Sequence, residues 1–250
     1  MFTFLRFWSR SGITETETPP FAPERWRPVI WAITNVFESG RAEGNAAALQ
    51  TQDAGILSYG PHQATLLAGT LEQVLTLYIQ TSHTAISQAL TPWLPQIRAK
   101  DPALRQAVAL HQLLITAAAD PAMQAAQDVV FARWYYQPAI EQAIALHLRT
   151  PLALACLYDA GVQGGRDHIL ARLGSQVPLD EARWIGQFLT EREKWLVEAA
   201  NSAAAKGYTQ QAHLLRNSRF RVTELRRLAQ KGNWYLRGRI RLRGQLIQGL

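Results

Sequence analysis

Apolar side chains recur at Val29, Ile30, Ile33, Val36 and Phe37, the spacing that gathers them on one face of a helix. Pro28 suits the first turn of that helix and Ser39-Gly40 its stop. Residues 11–28 are polar and Pro-rich, so 1–28 is expected as an extended leader and 29–250 as a single domain. Residues 41–53 are weakly patterned. GILSYG (55–60) is short, apolar and bounded by glycines, which predicts a short strand or turn. The spacing then predicts helices over 64–80 and 85–98, the second broken at Pro92. From 103 to 160 the chain is rich in Ala, Leu and Gln with a helical period. Asp101-Pro102, Asp120-Pro121, Gln137-Pro138 and Thr150-Pro151 each mark a helix start. A loop is expected at 161–166, a helix at 180–206 and a basic helix at 213–231. The end alternates Arg with Ile or Leu, which favours an extended segment. The class is mainly α with a small β element. There is no internal repeat, and the helices are too irregular in length for a solenoid.

Composition narrows the options. At 250 residues the chain can bury a sizeable core without metals or disulfides. Cys156 is its single cysteine, which excludes an intramolecular disulfide framework and a Cys-rich zinc site. It lies in an apolar helical stretch and reads as core. None of the six histidines forms HExxH or pairs with cysteine at ligand spacing, so no metal and no other cofactor is implied. GxSxG and the P-loop pattern are missing too. No run of 18 apolar residues could span a membrane. Arg6 and Arg10 interrupt the N-terminal apolar pieces, which makes a poor secretory signal, so synthesis in the cytoplasm is expected, whatever the place of action.

The net charge of +7 is unevenly spread, with ten basic residues against one acid, Glu224, in 213–250. Only four of the 26 basic residues are Lys, and the remainder is Arg, the bidentate partner of carboxylates and phosphates.

Glu38 ends an apolar helix, where the partial negative charge of the C-terminus disfavours an ionised carboxylate and favours a proton donor. Its bland alternative is an exposed helix-end glutamate. Asp53 follows 15 residues later, just before GILSYG. Two acids on opposite walls of a cleft are the equipment of glycoside hydrolysis, one protonating the leaving oxygen and one activating water. Tyr59, His62 and Gln63 (in SYGPHQ) add an aromatic face and polar groups that could line a sugar-binding cleft.

Three longer segments carry a resemblance. QDVVFARWYYQPAIEQAIALHLRTPLALACLYDAGVQGG, FLTEREKWL and SRFRVTELRRLAQKGNWYL resemble, in order and spacing, segments of glycoside hydrolase family 46, the chitosanase family of the lysozyme-like superfamily. The resemblance runs from about 30 to 236. It implies a two-lobed, mainly α, lysozyme-like fold with a central cleft, and inverting hydrolysis of β-1,4 bonds. Glu38 falls at the family's catalytic acid. Asp159, Arg192 and Arg221 fall at an ion-pair network that supports that acid. The second carboxylate departs from the pattern: LQTQDAGILSYG replaces the usual acidic loop, Ala48 falls near the usual base, and Asp53 is the candidate replacement, with Glu43 as fallback. GILSYGPHQATLLAGTLEQVL resembles a cell-wall-associated and phage-type offshoot.

Chitosan is a polycation, whereas this chain is basic and depleted of the acidic loop. Long-range attraction therefore puts the peptidoglycan glycan strand slightly ahead of chitosan as the polysaccharide partner. A non-catalytic glycan-binding relative is the rival reading. Nucleic acid is not an expected partner, because the family pattern already uses the basic segment within the fold.

Overall fold

The computed structural model describes residues 21–52, 55–174 and 177–250. In chain order the elements are α1 (Pro23–Ser39), β1 (Leu49–Gln50), β2 (Ser58–Tyr59), β3 (Ala64–Thr65), α2 (Thr70–Thr81), α3 (Ala85–Leu90), α4 (Leu94–Arg98), α5 (Val108–Ala117), α6 (Pro121–Phe131), α7 (Gln137–Ala145), α8 (Pro151–Gln163), α9 (Arg166–Leu173), α10 (Glu181–Ala205), α11 (Thr209–Asn217), α12 (Arg219–Gln230), β4 (Arg239–Leu242) and β5 (Gln245–Gln248). The fold is mainly α with small sheets. It divides into two compact units, one built on 31–141 with 239–247, the other on 142–238 with 21–30 and the last three residues.

In the first of these units β1, β2 and β3 form an antiparallel sheet, with Leu49 opposite Tyr59 and Tyr59 opposite Ala64. Behind it lie Leu57, Leu71, Val74, Tyr78, Leu110, Leu114 and Phe131, all buried. Asp120 works twice at the start of α6. One carboxylate oxygen accepts the Ala122 N–H at 2.9 Å, and the other accepts the Tyr78 hydroxyl at 2.8 Å. In the second unit α8 is buried on all sides from Pro151 to Ala160, as a helix apolar all round must be. The Thr150 side chain caps it. From the first turn of α10, Glu181 accepts the Arg149 N–H, the Thr150 N–H and the Thr150 hydroxyl at 2.9, 2.9 and 2.6 Å.

Several boundaries move. The first helix begins at Pro23, so the last six residues of the expected leader are helical; Pro28 stands inside the helix, where its missing N–H forfeits one early bond. The helix expected from 64 begins at Thr70 because Ala64 and Thr65 pair with β2, and Gly69 turns the chain at φ 78°. Gln137-Pro138 opens α7 as expected, but without a break before it: the backbone runs into the helix through a π turn at Ala132–Tyr136. The expected loop at 161–166 shrinks to Gly164-Gly165, both at positive φ. Gly165 lies flat on Trp195, where a Cβ would stand 2.6 Å from the ring. The basic helix is two helices that meet at Ser218, whose hydroxyl donates back to the Leu214 carbonyl and bends the chain.

Candidate active site

The apolar face of α1 explains where Glu38 points. Ile30, Ile33, Thr34, Val36 and Phe37 are buried, and the helix leaves its core at Glu38 and Ser39, both exposed. The turn that follows is held by two bonds: the Ser39 hydroxyl donates to the Asn35 carbonyl at 2.9 Å, and the Asn35 amide donates to the Ala42 carbonyl at 3.1 Å. Beyond it lies a hollow of about 390 Å³. Its walls are Glu38 and Ser39 from the helix end, Asn45 and Ala48 from the following loop, Gln50 from β1, and Pro61 and Gln63 from the β2–β3 turn. Among these described residues Glu38 is the one ionisable group. Tyr135, on the π turn, lies within reach of its charge: burial raises the Tyr135 phenol, and Glu38 raises it further. π turns recur at functional sites because they re-aim side chains out of helical register.

The sequence-predicted residues divide. Gln63 lines the hollow, with φ 59° and its side-chain amide bonded to the Gly60 carbonyl at 3.0 Å. Tyr59 does not line it. Both residues of β2 are enclosed, and the Tyr59 ring packs into the core, where it is fully buried and its hydroxyl donates to the Leu114 carbonyl at 2.7 Å; burial drives its phenol strongly up. His62 is likewise packed away at 5% exposure, edge-on to Trp31 and Phe131 with ring centroids 5.7 and 4.8 Å off. Both are corrections to the expected cleft lining, and their cause is shared: in so short a sheet every inward position is needed for the core. Asp53 lies outside the described residues. Glu43 is exposed and paired with Arg41 at 3.1 Å; a backbone hydrogen bond and the Arg41 guanidinium hold its carboxyl below the usual range.

Asn45, Gln50 and Tyr135 escaped the sequence reading. The first two sit in the weakly patterned segment that gave no period to work from. Tyr135 sits in the run RWYY, whose four consecutive non-aliphatic residues inside a helical pattern were the available signal.

In the other unit Asp159, Arg192 and Arg221 form one ion cluster. Arg192 donates to one oxygen of Asp159 at 2.5 Å and to Gln163 at 2.8 Å, and Arg221 donates to the other oxygen at 2.9 Å. The side chains are 0, 0 and 5% exposed, respectively for Asp159, Arg192 and Arg221. One carboxylate thus stands between two guanidiniums in a site closed to water. Cys156, one turn away, has its thiol pushed up to about 12, chiefly by burial. No group of three potential metal ligands occurs among the described residues, and no helix there is long and apolar enough to cross a membrane.

Comparison with known proteins bears on both regions. The sequence model of Glycosyl hydrolase family 46 matches residues 68–238, which contain the ion cluster and begin after Glu38 and Gln63. A chitosanase of Bacillus subtilis (strain 168) is 28% identical over 232 residues, covering 84% of this chain and 79% of that protein. The family 46 chitosanase of Gynuella sunshinyii in complex with chitotetraose superposes with a TM-score of 0.75 at 27% identity, over 89% of this chain and 96% of that one. Native chitosanase from Bacillus subtilis MY002 matches in fold with a TM-score of 0.75 at 24% identity, over 89% and 98% of the two chains. A match across two thirds of the chain, on a shared fold, places this protein among the glycoside hydrolases: it belongs to glycosyl hydrolase family 46.

Proposed function

We propose that the protein cleaves β-1,4 bonds within an amino-sugar polysaccharide, with inversion, and that Glu38 is the acid. The observation that carries this reading is Glu38 itself, the one ionisable group among the described residues of the hollow, set at a helix end in a chain of this family. Glu38 protonates the leaving oxygen. Asp53 activates water on the opposite face of the sugar, with Glu43 as the alternative base; an inverting pair stands roughly 6.5–9.5 Å apart to admit that water. Gln63 hydrogen-bonds the sugar. Asp159, Arg192 and Arg221 are the cluster that the family resemblance assigns to support of the acid.

The relatives are chitosanases, one of them held with chitotetraose, so a glucosamine polymer is the first substrate. The hollow favours a second reading. Its described lining offers Glu38 and three amide side chains, Asn45, Gln50 and Gln63, and the chain carries +7. Amides pair with acetamido groups, whereas free ammonium groups call for carboxylates. The peptidoglycan glycan strand, acetylated and anionic, fits that lining.

The test is reducing-end release from chitosan and from purified peptidoglycan in parallel, with Glu38→Gln as control. Release from chitosan, reduced about 100- to 10,000-fold in a folded Glu38→Gln variant, is expected. Release from peptidoglycan alone moves the substrate to the second reading. Full activity in the variant overturns the acid, and release from neither polymer leaves a glycan-binding protein.

A further inference from the structure

The last twenty residues carry five basic side chains, Lys231, Arg237, Arg239, Arg241 and Arg243, and no acid. The family match stops at 238, just before β4. β4 and β5 form a separate two-stranded sheet, joined by Arg243 and Gly244 at φ 47° and 83°, the pair of positive values that a tight hairpin turn demands. Ile240, Leu242 and Ile247 turn inward and are buried. Arg239, Arg241, Leu246 and Gln248 turn outward and are exposed, with Arg243 exposed at the tip. The two-residue turn sets Arg241 opposite Leu246, so a leucine that is 52% exposed stands among arginines.

We propose that this outer face is a docking surface for an anionic phospholipid bilayer. Two features select a bilayer. Within 231–250 the charge is of one sign, as the headgroup region requires, and each basic residue held near such a surface strengthens binding roughly fivefold. Leu246 adds an apolar contact that a bilayer interface takes up and an aqueous polyanion leaves wet. Long arginine stems lie along that apolar boundary while their guanidiniums stay with the phosphates. Nucleic acid fits less well. Proteins that hold single strands stack bases on aromatic rings. Residues 239–248 contain none, and the neighbouring Tyr235 ring has Arg237 over it, 5.2 Å from its centroid. The proposal concerns binding alone and stands apart from the reaction at Glu38.

The experiment is co-sedimentation of the full chain with vesicles of equal parts phosphatidylglycerol and phosphatidylcholine, and with phosphatidylcholine vesicles as control. Retention of the same proteins on an RNA homopolymer is measured alongside, and thermal unfolding checks each variant. Binding to the anionic vesicles only, weakened by salt, is expected. It should fall at least 25-fold in Arg239→Gln/Arg241→Gln and further in Arg239→Glu/Arg241→Glu. Leu246→Ser should weaken vesicle binding several-fold and leave retention on RNA unchanged. Absence of binding to anionic vesicles, or equal binding by the folded double variants, overturns the proposal. So does vesicle binding indifferent to Leu246→Ser, which reads as attraction to any polyanion.

Discussion

Two carboxylates, Glu38 and Asp159, sit in surroundings that differ in nearly every respect. Glu38 is exposed at the end of a helix, facing a hollow built from short strands and turns. Asp159 is closed to water in the middle of an apolar helix and spends both oxygens on arginines. The family's sequence model covers the second and passes over the first. The physical constraint explains the contrast. Replacing any member of a buried ion cluster strands the others without water, so few alternatives survive. A wall facing solvent tolerates exchange, and here the described part of it holds Ala48 and the amides Asn45, Gln50 and Gln63.

Three experiments press on this comparison. The largest effect is expected at Asp159. Asp159→Asn removes the charge that both buried guanidiniums bond, a loss of about 3–5 kcal/mol. In a chain of this size that lowers the melting temperature by roughly 10 °C. Glu38→Gln should shift it by about 2 °C or less, since an exposed substitution changes stability little. Equal shifts in the two would abolish the distinction between them.

A smaller contrast divides SYGPHQ itself. Tyr59→Phe removes the donor from a buried carbonyl, at a cost of about 1–3 kcal/mol in urea unfolding, and should leave KM for the polysaccharide alone. Gln63→Ala should do the reverse, raising KM by roughly 2- to 10-fold, the value of one hydrogen bond, with stability retained. A KM effect in Tyr59→Phe would return that ring to the cleft wall.

The smallest effect tests burial against membership of the matched region. Glu193 lies within that region but near solvent, bonded to Arg219 and Arg226. The Arg219 hydrogen bond, helped by Arg226 and opposed by burial, holds its carboxyl below the usual range. A carboxyl lowered in the folded state stabilises above its unfolded value and loses that contribution as the pH falls through the folded one. Glu193→Gln should therefore cost less than about 1 kcal/mol at neutral pH, with the gap from the parent closing below about pH 4. Melting curves across the acid range measure it.

Much of the helical scaffold was legible in the sequence, because Asp120-Pro121 and Thr150-Pro151 pair a capping side chain with a residue suited to the first turn. The Arg/Ile alternation likewise foretold β4. Tyr59 and His62 were misread for want of a partner strand: a two-residue strand has too few positions to reveal which side faces inward. Ala64 and Thr65 were misread for the same reason, since pairing with β2 overrode their helical spacing. The π turn that brings Tyr135 toward Glu38 is a backbone register change, and its side chains alone do not announce it.

The burial of Cys156 has a practical consequence for kinetics. It is the chain's single thiol, and it sits on the fully enclosed helix that carries Asp159. In the folded state an alkylating reagent meets neither an accessible sulfur nor, near neutral pH, an appreciable fraction of thiolate. Its rate of modification then follows how often that helix opens, so a slow alkylation time course reads the opening equilibrium of the Asp159 core directly, with no added label.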